Sequence, residues 1–155
     1  MNKAVKCSLL ILICAFLTGC FAISRELCGL DSGFHCYRAG EYHNEQQQFF
    51  DEAARYYQKA CLLRYTRACL QLAMLYENAW MENKNLDDRE KIGNAAVDYY
   101  VRACDGGIAE GCRRASQRYQ QGEMVRANQL RAANFAKKAC VLEVAPQDCP
   151  HPLPN

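Results

Sequence analysis

The cysteines are the residues of this sequence that stand out as able to do chemistry, because of their number and their spacing. The chain has 11 cysteines in 155 residues, and a thiol can form a disulfide, bind a metal ion or exchange electrons. Eight of them form four pairs along the chain, three with a separation of eight residues and the last with nine. These pairs are Cys28 and Cys36, Cys61 and Cys69, Cys104 and Cys112, and Cys140 and Cys149.

The spacing of these thiols argues against redox and metal chemistry. Redox catalysis uses a Cys-x-x-Cys pair, and structural zinc uses similarly close cysteines together with histidines, whereas no two cysteines here are that close. The histidines are His35, His43 and His151, and we interpret them as surface or cap residues. We therefore expect no metal ion and no cofactor.

The first 20 residues have the pattern of an export signal. Two lysines without an acid open the chain, and an apolar run of 11 residues, Cys7–Leu17, follows. This run is shorter than the about 20 residues that span a membrane, and it is typical of a signal peptide. Residues 17–20, Leu-Thr-Gly-Cys, resemble the bacterial lipobox at every position.

The lipobox resemblance implies that the chain is an exported bacterial lipoprotein. It implies a signal peptide at 1–19, cleavage before Cys20 and lipidation of the Cys20 thiol. Phe21 stands where an aspartate tends to retain lipoproteins in the inner membrane, so the sequence favours the outer membrane. Lipidation of Cys20 gives the mature chain a membrane contact, and we expect it to face the periplasm.

The mature chain has no excess of either charge. Cleavage leaves 136 residues, which is one domain by length. Loss of Lys3 and Lys6 reduces the 19 basic residues to 17, against 17 acidic ones. A balanced domain lacks the basic patch that nucleic-acid binding requires, so we expect no nucleic-acid partner.

An even number of cysteines in an exported chain predicts disulfides. Residues eight apart in one helix are separated by about 12 Å along its axis, whereas a disulfide joins Cα atoms within about 7 Å. If neighbouring cysteines pair, the chain must reverse between them. Each bond then joins the end of one helix to the start of the next.

The segments before three of these pairs share one helical pattern. An alanine precedes the first cysteine by one residue and by eight, a basic residue by two and an aromatic residue by five. A tyrosine follows the second cysteine by seven residues at Tyr76 and Tyr119. The small and aromatic positions fall on one helical stripe. The first cysteines of successive pairs are 33, 43 and 36 residues apart, and a pattern that recurs at such intervals predicts a solenoid.

This register resembles the Sel1-like repeat family, a relative of the tetratricopeptide repeat. The cysteine pairs resemble its cysteine-rich bacterial branch, some members of which are called β-lactamase-like. The resemblance covers roughly residues 24–149 and rests on Tyr-Tyr-x-Lys/Arg-Ala-Cys with a second cysteine eight residues later. It implies an all-α fold, a short α-solenoid of helix-turn-helix repeats over 28–155, each stapled by a disulfide, after an anchor and short linker at 20–27.

The sequence departs from the family pattern in three places. The first helix before Cys28 is nearly absent, and the segment 78–88 carries about seven extra residues when compared with the stretch after Tyr119. We expect a loop there, followed by a capping box at Asp87-x-x-Glu90. Four prolines forbid a second helix in the last repeat. We expect a disulfide from Cys149 to attach the tail to the helix before it.

Three groups of residues are candidates for a partner face. A basic row stands two residues before each helix-ending cysteine, and it either opposes the helix macrodipole or contacts an acidic partner. A more varied row stands six residues before each cysteine. The tryptophan of the extra segment either anchors a partner or tucks under a helix. These residues are, in turn, Lys59, Arg102 and Lys138; Arg55, Asp98 and Asn134; and Trp80.

The function predicted from these features is that of a lipid-anchored, non-enzymatic adaptor or scaffold that holds another envelope protein. One alternative is binding or hydrolysis of a β-lactam or a peptidoglycan fragment, as the β-lactamase-like branch implies. That resemblance transfers no catalytic residue, because neither Ser24, Ser32 nor Ser116 begins a Ser-x-x-Lys motif. The other alternative is a structural or surface-exposed envelope lipoprotein.

Overall fold

The computed structural model describes residues 24–45, 50–143 and 149. The predicted signal peptide, the predicted lipidation site Cys20 and the prolines of the tail lie outside the described residues, so the predictions about them stay predictions. The described part is all-α and contains no strand. No helix in it combines the length and the apolar character needed to cross a membrane.

The chain divides into two compact units, Met1–Leu63 (unit 1) and Arg64–Asn155 (unit 2). Unit 1 contains α1, described over 24–29, and two further helices. Unit 2 contains four helices, each packed against the next one along the chain. The helices after α1 are α2 (Gly33–Glu45), α3 (Phe50–Leu62), α4 (Thr66–Glu82), α5 (Leu86–Asp105), α6 (Ala109–Gln121) and α7 (Gln129–Glu143).

The core of unit 1 forms where α2 packs against α3. Ala53 and Ala60 of the predicted stripe are fully buried, and so is Tyr57. Gly40 of α2 permits this contact, because a Cβ placed there would lie 2.6 Å from Cδ1 of Tyr57. A small residue on one helix therefore receives the ring of the next.

The core of unit 2 repeats this arrangement with different small residues. Tyr100 of α5 is fully buried in a cluster with Ala73 of α4 and Ala115 of α6. Ala96 and Ala103 of the predicted stripe are also fully buried. The aromatic residue at the centre of each unit stands four residues before a cysteine, whereas the stripe read from the sequence placed it five before.

Disulfides join the ends of consecutive helices at two turns, and a third bond joins α7 to Cys149 of the tail, as the sequence predicted. The Cα atoms of Cys28 and Cys36 are 4.5 Å apart, those of Cys104 and Cys112 are 4.6 Å apart, and those of Cys140 and Cys149 are 5.7 Å apart. The cysteines at 61 and 69 are also disulfide-bonded. The prediction of an all-α fold with a disulfide at the turn of each repeat is thereby confirmed.

The extra residues of segment 78–88 lengthen two helices, so the prediction of a loop there was wrong. Helix α4 continues to Glu82 and α5 begins at Leu86, which leaves a turn of 83–85. Gly93 of the longer α5 packs closely against Met124, since a Cβ added to Gly93 would lie 2.9 Å from the Met124 backbone. This contact packs the first half of α5 against the rest of unit 2.

The cap of α5 also differs from the prediction. The N-cap is Asn85, whose side chain accepts hydrogen bonds from the backbone amides of Asp87 at 3.0 Å and Asp88 at 3.3 Å. The predicted capping box at Asp87 and Glu90 is therefore wrong. The helix begins earlier because Asn85 already satisfies these amides.

Candidate functional site

A groove of about 720 Å³ opens in unit 1 and is called here the α1–α3 groove. Helix α1 and helix α3 supply most of its lining, and the last turn of α2 adds one side chain. The lining residues that define its chemistry are Arg25, His43, Glu52, Arg55, Tyr56, Lys59 and Leu62.

An aromatic stack lines one part of the α1–α3 groove. The rings of His43 and Tyr56 are stacked, with centroids 5.3 Å apart and planes 8° apart. Burial lowers the pKa of His43 below its ordinary value of 6.5, Glu52 acts to raise it and Arg25 to lower it. The imidazole is therefore uncharged at neutral pH, and a neutral ring faces the tyrosine.

The same stack recurs at the same repeat position in unit 2. Tyr76 stacks on Tyr99 with ring centroids 5.7 Å apart, and Tyr119 stacks on Phe135 at 5.8 Å. In each stack, a residue seven after the second cysteine of a pair meets one five before the next cysteine. The sequence revealed both positions but not their contact, and it did not connect His43 with the tyrosines.

The cations of the α1–α3 groove are of two kinds. Lys59 forms a salt bridge of 3.0 Å with Asp31, in the turn after α1. Arg25 and Arg55 are exposed, and neither forms a salt bridge with any residue that the structure describes. Glu52 is the only acidic residue among the described residues that line the groove, so this part of the lining carries a net positive charge.

The basic row has a structural role that the sequence interpretation did not include. Lys138 of α7 forms a salt bridge of 2.6 Å with Asp105 at the end of α5, which parallels the bond of Lys59. Arg102 instead lies over the ring of Tyr99, 5.5 Å from its centroid. The sequence did contain a signal for both ion pairs. Asp31 follows Cys28 by three residues and Asp105 follows Cys104 by one.

The other candidate face residues differ in exposure. Asp98 and Asn134 are exposed, as is Arg55. Trp80 lies within α4, is partly buried and packs against a core cluster of unit 2. The guanidinium of Arg89 lies 4.4 Å from the centre of its ring.

A buried ionic cluster in unit 2 was not found from the sequence. Glu77 of α4 accepts a hydrogen bond from the Tyr100 hydroxyl and another, at 2.5 Å, from the guanidinium of Arg118. Arg118 also forms a 2.7 Å salt bridge with Glu123. Burial, followed by the bond to Glu77, raises the pKa of Tyr100. Glu77, Arg118 and Glu123 pair with one another, so we interpret the cluster as structural.

The equivalent tyrosine of unit 1 has a different environment. Tyr57 is as deeply buried as Tyr100, and burial likewise raises its pKa. Asn44 occupies the position that matches Glu77, eight residues after a second cysteine, and its side chain acts to lower this pKa. No hydrogen bond of ordinary geometry reaches the Tyr57 hydroxyl from residues that the structure describes.

A second groove, of about 430 Å³, lies between α6 and α7 in unit 2. Its two charged lining residues bind each other, since Arg113 forms a salt bridge with Glu143. Arg113 also forms a salt bridge with Glu110. The hydroxyl of Ser116 donates to the carbonyl of Ala132 at 2.8 Å. These contacts leave fewer polar groups for a ligand than the α1–α3 groove offers. In the described residues of either unit, no group of three His, Cys, Asp or Glu side chains could hold a metal ion.

A solved structure shares the fold of this chain over most of its length. Cysteine rich protein B of Helicobacter pylori is 26% identical, covers 83% of this chain and 90% of its own, and superposes with a TM-score of 0.58. A Sel1 repeat protein from Oxalobacter formigenes is 17% identical over 75% of this chain and 60% of its own, with a TM-score of 0.31. No protein-family model and no curated protein matches the sequence. The first likeness confirms the predicted fold class, a short α-solenoid stapled by disulfides.

Proposed function

We propose that this chain is a non-enzymatic adaptor that binds another protein of the bacterial envelope through the α1–α3 groove. The observation that carries this proposal is the pair of exposed arginines, Arg25 and Arg55, which border one groove and form no salt bridge with described residues. Several other arginines bind acids of their own unit, as Arg113 and Arg118 do. Arg126 of unit 2 is also exposed, but it lines neither of the two grooves described above.

The fold is suited to this role. Helical repeats bury one face of each helix against a neighbour and leave an extended surface for a partner. Here the Cys28–Cys36 disulfide joins α1 to α2 at the groove and leaves the charged side chains of the lining unused. A partner would therefore meet a preorganised surface, which reduces the entropy lost on binding.

The proposed location is the periplasmic face of the outer membrane, with the lipid on Cys20 as anchor. This part rests on the lipobox at 17–20 and on Phe21. A single acyl chain binds membranes only marginally, so we expect Cys20 to carry more than one. Substitution Cys20→Ser should move the chain from the membrane fraction to the soluble fraction.

Cross-linking in the native envelope tests the adaptor function. A tagged full-length chain that keeps Cys20 would be cross-linked in cells and captured, alongside Arg55→Glu and the matched control Arg126→Glu, which reverses an exposed arginine of unit 2. Lys59→Glu would be a poor probe because it would also break the salt bridge to Asp31.

We expect one abundant partner with the wild-type chain and with Arg126→Glu, and its loss with Arg55→Glu. Capture of the same partner by the Arg55→Glu chain would remove the groove from the proposal. The absence of any partner would contradict the adaptor function itself.

A further inference from the structure

We infer that the α1–α3 groove recognises an acidic peptide segment, with Arg25 and Arg55 binding its carboxylates. This inference rests on the proposed adaptor function and names the chemistry of the partner. It follows from where the charges and the apolar surfaces of the groove lie, not from its volume.

The charge of the groove selects for an anion. Three basic side chains line it against the single carboxylate of Glu52. Lys59 is held by Asp31 at 3.0 Å, which leaves two guanidinium groups from two different helices. A guanidinium presents parallel N–H donors that match both oxygens of a carboxylate. Carboxylates are therefore the ligands that these side chains bind best among peptide groups.

The position of the charges gives the ligand a direction. Arg55 and Lys59 are four residues apart on α3 and share one face. Glu52 lies towards the other end of that helix, where it interacts with His43. An acidic side chain would be repelled near Glu52 and attracted near Arg55. We therefore expect the carboxylate that Arg55 binds on the side of Arg55 nearer Lys59, and a second carboxylate beside Arg25, which lies near His43.

The apolar parts of the groove define what lies beside the carboxylates. Leu62, in the last turn of α3, is 65% exposed although it belongs to the lining. The stacked rings of His43 and Tyr56 add an aromatic surface. A segment in which acidic residues alternate with aliphatic ones would use the arginines and these surfaces together.

Fluorescence anisotropy with a defined probe tests this inference. The probe is a fluorescein-labelled hexapeptide of alternating glutamate and leucine, and its counterpart has glutamine in place of each glutamate. The protein is the full-length lipidated chain in detergent. We expect the glutamate peptide to bind at least about tenfold more tightly than the glutamine peptide, because only the former offers charge-assisted bonds.

Matched variants locate the binding site. The double variant Arg25→Gln/Arg55→Gln should weaken binding of the glutamate peptide at least about tenfold, whereas Arg126→Gln should change it less than about twofold. Circular dichroism checks that each variant keeps its helices. Raising the salt concentration should weaken the glutamate peptide selectively, since exposed charges are screened.

Equal binding of the two peptides, or full binding by the double variant, would overturn the inference. Its failure is distinguishable from failure of the adaptor function. If Arg55→Glu still abolishes capture of the envelope partner while the glutamate peptide shows no preference, the adaptor function stands and the acidic specificity is wrong.

Discussion

Two tyrosines at the same repeat position, Tyr57 in unit 1 and Tyr100 in unit 2, are buried to the same extent but differ in what their hydroxyls meet. Tyr100 donates to Glu77, which also binds Arg118. Tyr57 has Asn44 at the matching position and no hydrogen bond of ordinary geometry within the described part of unit 1.

The difference separates what the repeat dictates from what each unit adds. Alanines, ring stacks and disulfides recur in both units because they set the spacing of the helices. One ion pair recurs as well, Lys59 with Asp31 in unit 1 and Lys138 with Asp105 in unit 2. The polar partner of the buried tyrosine does not recur, because Glu77 of unit 2 is replaced by Asn44 in unit 1. The scaffold is shared, and the buried ionic cluster is specific to unit 2 within the described residues.

The largest expected effect comes from breaking the ionic cluster of unit 2. Glu77→Ala should lower the free energy of unfolding by about 3 kcal/mol, because it leaves the Tyr100 hydroxyl and part of the Arg118 charge without an acceptor. Urea denaturation followed by circular dichroism measures the change. Asn44→Ala, the matched substitution in unit 1, should cost less than about 1 kcal/mol. Equal losses would contradict the contrast between the units.

The small residue under each tyrosine gives the second test. Gly40→Ala should destabilise the protein by about 1–3 kcal/mol, because the new methyl would overlap the Tyr57 ring. The matched change in unit 2, Ala73→Gly, should cost about 1 kcal/mol through lower helix propensity. Thermal unfolding of both variants checks the order. A more stable Gly40→Ala protein would show that the ring has room to shift.

Removal of the two hydroxyls tests the comparison directly. Tyr100→Phe should lower the free energy of unfolding by about 1 kcal/mol, because Glu77 loses a buried donor. Tyr57→Phe should change it by less than about 0.5 kcal/mol, since no bond of ordinary geometry is lost. A similar loss in both variants, measured by urea denaturation, would mean that the Tyr57 hydroxyl has a strong partner.

The smallest expected effect concerns pH and His43. Burial lowers the pKa of His43 in the folded chain below 6.5, so the unfolded chain takes up the proton first as the pH falls. The stability that this histidine contributes is complete above about pH 6.5 and is lost as the pH falls through the folded pKa. His43→Tyr, which places the residue of the later repeats there, should therefore reduce the loss of stability between about pH 7.5 and pH 5.

Tyr76→His is the reciprocal variant in unit 2. It should make the free energy of unfolding fall as the pH falls, because the stack of Tyr76 and Tyr99 contains no histidine in the wild-type chain. Denaturation curves at the two pH values measure both effects. If His43→Tyr leaves the pH dependence unchanged, the ring stack of unit 1 does not resist protonation.

The sequence predicted the repeat well because distance limits and helical periodicity determine it. Cysteines eight residues apart cannot bond within one helix, and alanines one and eight residues before a cysteine share a face. Those rules were enough for the stapled turns and for the burial of Ala53, Ala96 and Ala132.

The groove and the ionic cluster could not be predicted in the same way. Arg25 was placed in a linker, but residues 24–29 are helical, and only that helix brings Arg25 to the groove. Glu77 and Arg118 are 41 residues apart, and nothing local connects them. The sequence does contain a sign that α4 continues into segment 78–88. These residues include no glycine or proline, so no residue at the start of the segment breaks the helix.

The disulfides at Cys28–Cys36, Cys104–Cys112 and Cys140–Cys149 each close a loop of eight or nine residues, which has a consequence for biogenesis. A short loop closes rapidly, whereas bonds between distant cysteines must wait for the chain between them. A chain that emerges into an oxidising compartment from its N-terminus can therefore acquire these bonds in sequence order. In a chain exported in this way, each cysteine of these pairs would meet its partner before the next pair arrives, so oxidation would follow the order of the sequence with little isomerisation.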